Sequence, residues 1–165
     1  MNYAQIRSLD ISNGESIGVS LYTSGCRFRC KNCFNHELWD LNYGKKFDVA
    51  AKEQLFKLIN RPQVQRFTIL GGEPLIEENR QEVYLLLSEI KKNFPQKKVW
   101  LYSGYTFETI RQEFPQIFEV IDIMVDGLFV DELKDMNLKF KGSSNQRVIN
   151  VQESLRQNKI LEYLK

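Results

Sequence analysis

The sequence predicts an α/β fold built on a mostly parallel sheet, and two patterns carry that prediction. Short β-branched or aromatic blocks alternate with longer segments of helical spacing, and the loops richest in reactive residues follow the strand blocks. Strands joined through helices pair in parallel by right-handed crossovers, so their C-terminal ends emerge on one rim of the sheet. Loops far apart along the chain are thereby expected to meet.

Val19 to Ser24 reads as the first strand. Asp48 is placed to cap a helix running to about Ile59, with Leu55, Phe56 and Ile59 on one face. Phe67 to Leu70 is the next strand. From about Asn79 to Phe94, Val83, Leu86, Leu87, Ile90 and Phe94 recur at helical steps and give the longest amphipathic helix. Val99 to Tyr102 is then a strand, Thr106 to Phe114 a helix, Val120 to Val125 a strand, Arg147 to Val151 a last strand, and Glu153 onward a closing helix.

A chain of 165 residues, 42% hydrophobic and 12% aromatic, can close one core, and no repeat or Pro/Gly/Ser linker divides it, so residues 1–165 read as a single domain. A formal charge of +2 supplies neither the basic surface of a nucleic-acid binder nor an acidic tail. No stretch approaches the roughly 18 consecutive apolar residues of a membrane span, and Met1 to Asp10 lacks a basic segment followed by an apolar one. A soluble cytoplasmic protein, with no nucleic acid and no membrane among its partners, is expected.

The three cysteines, Cys26, Cys30 and Cys33, are packed into eight residues, which suits ligands better than a disulfide framework. Spacings of three and two residues let one loop reach three irons of a [4Fe-4S] cluster, leaving the fourth iron open for a reactant. His36 raises a bland alternative, a closed Cys3His zinc site, but four ligands within eleven residues would pin a loop without tying it to the fold. Arg27, Arg29, Lys31 and Asn32 make the loop polar; its cations would offset the charge of the thiolate-ligated cluster and offer a face to an acidic electron donor.

Gly71-Gly72-Glu73-Pro74 directly follows a predicted strand, where glycines let backbone approach a ligand and a turn exposes N–H and C=O groups. Alone it reads equally as a simple strand-to-loop turn. Preceded at this distance by CxxxCxxC, it resembles the element that clasps the methionine end of S-adenosylmethionine (SAM) in radical SAM enzymes. Ser103 and Asp126 leave later strands on the same rim and are candidates to hydrogen-bond SAM; Asp126 before Gly127 reads equally as a turn aspartate. Gly142-Ser143-Ser144-Asn145-Gln146-Arg147 is a polar run in which Arg147 is suited to clamp a carboxylate.

Over most of its length the chain resembles one family within that superfamily, the activating proteins of anaerobic ribonucleoside-triphosphate reductase. The likeness runs through Val19-Ser20-Leu21, Ser24-Gly25-Cys26, Cys30, Cys33-Phe34-Asn35, Trp39, Gly71-Gly72-Glu73-Pro74-Leu75, Trp100-Leu101-Tyr102-Ser103-Gly104-Tyr105, Val125-Asp126-Gly127 and Gly142 to Arg147. Many superfamily members carry an aromatic just before the third cysteine to pack on adenine; here Asn32 stands there and Phe34 follows the cysteine, so both are assigned to the cofactor side. Gly18 stands where an arginine is common.

The resemblance implies a compact partial (β/α) barrel of the radical SAM type, open at its rim to a protein substrate. It further implies a [4Fe-4S] cluster on Cys26, Cys30 and Cys33, and SAM held by Gly71, Gly72, Glu73, Pro74, Ser103, Asp126, Asn32 and Phe34. A one-electron donor such as flavodoxin would reduce the cluster, and the 5′-deoxyadenosyl radical would make a glycyl radical on the large reductase subunit. Activation of another glycyl-radical enzyme of the pyruvate formate-lyase type, a radical reaction on a small molecule, and a non-enzymatic zinc or iron–sulfur binding module are the alternatives. The three-ligand count and the GGEP loop oppose the last.

Overall fold

A computed structural model describes residues 1–164. Its elements are β1 (Asn2–Asp10), β2 (Gly18–Thr23), β3 (Lys45–Lys46), α1 (Val49–Ile59), β4 (Arg66–Gly71), α2 (Glu77–Asn93), β5 (Lys98–Tyr102), α3 (Phe107–Glu113), β6 (Ile123–Asp126), β7 (Arg147–Asn150) and α4 (Val151–Gln157). The caps behave as the side chains dictate. The Asp48 carboxylate accepts from the Ala51 N–H at 2.9 Å and the Thr106 hydroxyl from the Thr109 N–H at 3.2 Å, each satisfying a donor that the first helical turn leaves free.

The strands form one seven-stranded sheet in the order β3-β1-β2-β4-β5-β6-β7. Parallel pairing holds only at its centre, across β2–β4, β4–β5 and β5–β6; β1 runs antiparallel to β2 and β3, and β7 antiparallel to β6. The expected mostly parallel sheet is therefore corrected to a mixed one. The reason lies in the connections: a helix crosses between each central pair, whereas no α-helix separates β6 from β7, so the chain returns antiparallel. β1 carries no clean apolar alternation in Asn2–Asp10 and was not expected; the strand read from Val120 begins instead at Ile123, because Pro115–Glu119 winds as a 3-10 turn before it.

Register and the two-residue period of a strand sort the central side chains onto two faces. Val19, Leu21, Phe67, Ile69, Val99, Leu101 and Met124 join the main core with Leu55 and Ile59 of α1, Val83, Leu87 and Ile90 of α2, and Phe107 and Ile110 of α3. These helices thus cover one face through the apolar stripes read from the sequence; burying each Leu or Ile contributes about 1.5–3 kcal/mol. The opposite, inner face carries Ser20, Tyr22, Thr68, Leu70, Trp100, Tyr102, Ile123 and Val125 in matched rows.

Low on the inner face, Arg66 is 1% exposed and its guanidinium fills the space above its register partner Gly18, where a Cβ would lie 2.5 Å from Cζ. It donates to the carbonyls of Asp10 (2.8 Å), Asn13 (2.9 Å) and Glu15 (3.0 Å), fastening the β1–β2 loop. The side chain at position 18 is thus absent where β4 supplies a guanidinium from the neighbouring strand. Burial alone would raise the Asp10 carboxyl, but hydrogen bonds from Ser20, Asn13 and the Ser12 N–H outweigh it and hold the group below the usual carboxylate range. Replacing Arg66 with Met removes a donor from four carbonyls, of which Asn13 keeps the Thr68 hydroxyl, and leaves Asp10 buried without its cation. Urea unfolding of Arg66→Met is expected to show a loss of about 3–5 kcal/mol; a loss under about 1 kcal/mol would mean that water substitutes for the guanidinium.

Candidate active site

The cysteine loop begins where β2 ends. Gly25 adopts φ +102°, and the Gly25 and Cys26 N–H groups donate to the carbonyls of Leu38 (2.8 Å) and Trp39 (3.1 Å), closing the loop at its neck. The Ser24 carbonyl accepts from buried Asn79 of α2 at 2.8 Å. Within the loop Arg29 (φ +50°) and Asn32 (φ +53°) are left-handed, so the chain reverses immediately before Cys30 and again before Cys33. Asparagine tolerates that conformation better than most side chains, which is a local reason for its place before the third cysteine. The three thiols are half-buried and alternate with exposed Arg27, Arg29, Lys31 and Asn32.

The glycine loop lies against that neck. Gly71 (φ +121°) and Gly72 pass so close to the neighbouring backbone that a Cβ on either would sit 2.5 Å from the Thr23 or Gly25 carbonyl oxygen. The Gly72 and Glu73 N–H groups donate to those carbonyls at 2.8 and 2.7 Å. Glu73, Pro74, Leu75 and Ile76 then form a turn with Pro at its second position, closed by the Ile76 N–H on the Glu73 carbonyl at 3.2 Å. The Glu73 side chain, 2% exposed, reaches β5: Oε1 accepts from Ser103 Oγ (2.9 Å) and the Leu75 N–H (2.9 Å), and Oε2 from the Gly104 N–H (2.7 Å). Burial pushes its carboxyl up to about 7 against the pull of these donors.

These loops frame a cavity of about 700 Å³ over the inner face, lined by Cys26, Cys30, Cys33, Gly71, Gly72, Glu73 and Ser103 among others. Residues remote in the chain, from Cys26 to Ser103, therefore meet on one rim, as the strand order anticipated. Burial raises the Cys26 and Cys30 thiols above the ordinary range, so a bound cation must displace protons from them. His36 lines a second depression on the other side of the loop with Arg27, Arg29 and Trp39, and Cys26 borders both hollows. Among the described residues no three His, Cys, Asp or Glu side chains gather around one point, and this holds for the three thiols as it does for His36.

Two candidate residues have other commitments. Asn32 donates to Asp131 at 2.7 Å on the exposed side of the loop. Asp126, 1% exposed, accepts from the Phe107 N–H at the start of α3 (2.7 Å) and from Arg147 (2.9 and 2.5 Å). Arg147 also grips Glu108, holding that carboxyl down to about 2. The carboxylate that Arg147 clamps is thus internal. Phe34 is 60% exposed at the cavity lip, tilted on Phe129 and capped by Lys134. Arg27 and Lys31 are paired with Glu78 and Glu132, so the loop's positive face is narrower than its composition indicated.

The wall that sequence reading missed lies between β6 and β7. Leu128, Phe129, Met136, Leu138 and Phe140 line the cavity from a segment with no helical or strand period. It is pinned by the polar run read only as a loop: Gln146 accepts from the Gly142 and Ser143 N–H groups (2.9 and 3.1 Å) and donates to the Gly127 carbonyl (2.9 Å), while Asn145 donates to the Leu128 carbonyl (2.8 Å). The apolar residues of 128–140 were the available signal; their irregular spacing hid it.

A family model described as a 4Fe-4S single cluster domain matches residues 12–149. The anaerobic ribonucleoside-triphosphate reductase-activating protein of Escherichia coli K12 is 35% identical over 150 residues, covering 90% of this chain and 97% of the relative. Its namesake from Enterobacteria phage T4 is 34% identical over 148 residues, covering 90% and 93%. The chain belongs to this family of reductase-activating proteins. A third member, from Vibrio cholerae, is 31% identical and covers 88% of this chain and 96% of its own length. The region matched by the family model includes both the cysteine loop and the glycine loop. No helix among the described residues is long and apolar enough to cross a membrane.

Glu73 has a measurable signature. Between its ordinary value of 4.5 and about 7 the folded chain keeps a proton that the unfolded chain releases, so this group favours folding at low pH and its contribution is lost as pH rises through about 7. In the metal-free chain, wild type should lose about 3 kcal/mol more than Glu73→Gln across that interval, measured as urea stability at its two ends. Parallel pH profiles would show that Glu73 ionises normally.

Proposed function

We propose that this chain is a radical SAM activase: one domain spanning 1–165, its sheet curved as a partial (β/α) barrel, that generates a glycyl radical on the large subunit of anaerobic ribonucleoside-triphosphate reductase. The observation that supports the reading is that Cys26, Cys30 and Cys33 line one cavity together with Gly71, Gly72 and Glu73. The donor set fits the cofactors. Three soft ligands on one closed loop suit an iron–sulfur cubane with one open iron. Glu73 has no cation among its hydrogen-bond partners, and Oε2, with one donor, retains acceptor capacity for the ammonium of SAM. When bound, the reduced cluster supplies the electron that splits SAM into methionine and a 5′-deoxyadenosyl radical, which takes a hydrogen atom from a glycine.

The chain's own residues bind and orient. Cys26, Cys30 and Cys33 ligate the irons. The backbone of Gly71 and Gly72 lies close along the methionine end, with Pro74 fixing the turn and Ser103 holding the Glu73 carboxylate toward the ligand. Phe34 covers the adenine side at the lip. Asn32 and Asp126 act at one remove: Asn32 shapes the turn into Cys33, and Asp126 with Arg147 ties β6 to β7 under the covering segment. That segment excludes water. A one-electron donor such as flavodoxin, in the cytoplasm, completes the cycle.

Anaerobically reconstituted chain, given SAM, reductant and the reductase, should yield a glycyl radical by electron paramagnetic resonance together with 5′-deoxyadenosine. A loaded cluster that releases no deoxyadenosine would reject the reading. Single Ala replacements at Cys26, Cys30 and Cys33 should each abolish turnover while circular dichroism stays near wild type, since all three thiols sit outside the packed core. Turnover surviving in all three variants would contradict the ligand set.

A further inference from the structure

The cysteine loop is fastened to the glycine ledge at both of its ends, and the two fastenings differ in kind. At the entry the Glu73 N–H donates to the Gly25 carbonyl at 2.7 Å, a main-chain bond that depends on no side chain. At the exit the Asn35 amide donates from Nδ2 to the Gly71 carbonyl at 3.2 Å. Gly71 ends β4, beyond Ile69–Leu101, the last register pair between β4 and β5. Asn35, Gly71 and all three thiols line the same cavity.

Asn35 stands where another bond was open to it. It directly precedes the 3-10 turn His36–Trp39, a place from which asparagine ordinarily caps the N–H groups that follow. It makes no such cap. The turn is closed by main chain instead, with the Leu38 N–H on the Asn35 carbonyl at 2.9 Å, and is anchored to the neck because the Leu38 and Trp39 carbonyls accept from Gly25 and Cys26. The amide is thereby left to reach across to the ledge. Other side-chain ties of the loop lead elsewhere: Asn32 and Lys31 to Asp131 and Glu132 of the covering segment, and Arg27 to Glu78 of α2. None of these sets the separation of thiols and ledge.

Between the two fastenings the three thiols do not gather around one point, so loading must draw them together, and fixed ends limit where they meet. A ligand held at one end by thiol-bound iron and at the other by the ledge keeps one pose only while loop and ledge keep their spacing. A misplacement of about 1 Å costs on the order of 100-fold in rate. Resting on the activase reading above, we propose that Asn35 is a positioning residue: its amide locks the exit of the cysteine loop to Gly71 and so sets the spacing between the cluster and the ledge that holds the methionine end of SAM. Asn35 touches no reacting atom in this role.

The test pairs Asn35→Leu, which removes the donor, with Asn35→Asp, which keeps the shape but turns an oxygen toward the Gly71 carbonyl. In the metal-free chain, trypsin should cut both variants at Arg29 and Lys31 roughly fivefold faster than wild type, because one hydrogen bond no longer opposes opening of the loop. After anaerobic reconstitution both should carry wild-type iron and sulfide, while deoxyadenosine release at saturating SAM falls by about 10- to 100-fold. Cleavage by trypsin as slow as in wild type, or release at the wild-type rate, would overturn the proposal. So would three further outcomes: lost iron, which would make Asn35 a requirement for building the cluster; impairment confined to Asn35→Asp, which would trace the effect to charge; or weaker SAM binding with the saturated rate intact, which would make Asn35 a contact of SAM itself. Wild-type chain that releases no deoxyadenosine would strike the activase reading and this inference with it, whereas normal wild-type release with indifferent variants sinks the inference alone.

Discussion

The site is held together by one buried carboxylate. Glu73 leaves the end of β4, its own N–H is bonded to the Gly25 carbonyl beyond β2, and its side chain takes donors from Ser103 and Gly104 beyond β5. Three consecutive strands of the sheet are thereby joined at the ends where their loops begin. Such a group is expensive to bury, and its raised affinity for protons measures that expense. The arrangement is retained at a place where the loops would otherwise be connected only through their strands, and where a cationic ligand would relieve the carboxylate's isolation.

The rest of the architecture serves to keep that rim open on one side and packed on the other. Helices α1, α2 and α3 cover the outer face of the central strands, and the alternating residues of the same strands form the cavity floor. Because one residue's slip would exchange the two faces, the register that buries Ile69 and Leu101 among the helices also aims Leu70 and Tyr102 inward. Packing and site are therefore specified together. The Arg66 cluster beneath acts in the same sense, fixing the β1–β2 loop against the inner face with a charge that hydrogen bonds fully satisfy.

Several polar residues near the cavity hold parts of the protein to one another. Arg147 with Asp126, Gln146 with the backbone on both sides of the covering segment, and Arg27 with Glu78 all close internal hydrogen bonds. The cavity is lined by the three thiols and Glu73, with Ser12, Asn35 and Asp135 among its other polar residues.

The sequence by itself determined the three cysteines and their spacing, the glycine loop that follows a strand, the helices α1, α2 and α3 with their buried stripes, and the convergence of strand-exit loops. These are local properties, set by spacing, side-chain periodicity and the handedness of strand–helix–strand units. Only the tertiary structure decided the mixed character of the sheet, since β1 has no legible alternation and the direction of β7 depends on a connection without a helix. It also decided that Asn32 and Asp126 face other residues, and that the irregular stretch 128–140 walls the cavity. Which partner a polar side chain finds depends on distances between segments that are remote in the chain, and no pattern within either segment records them.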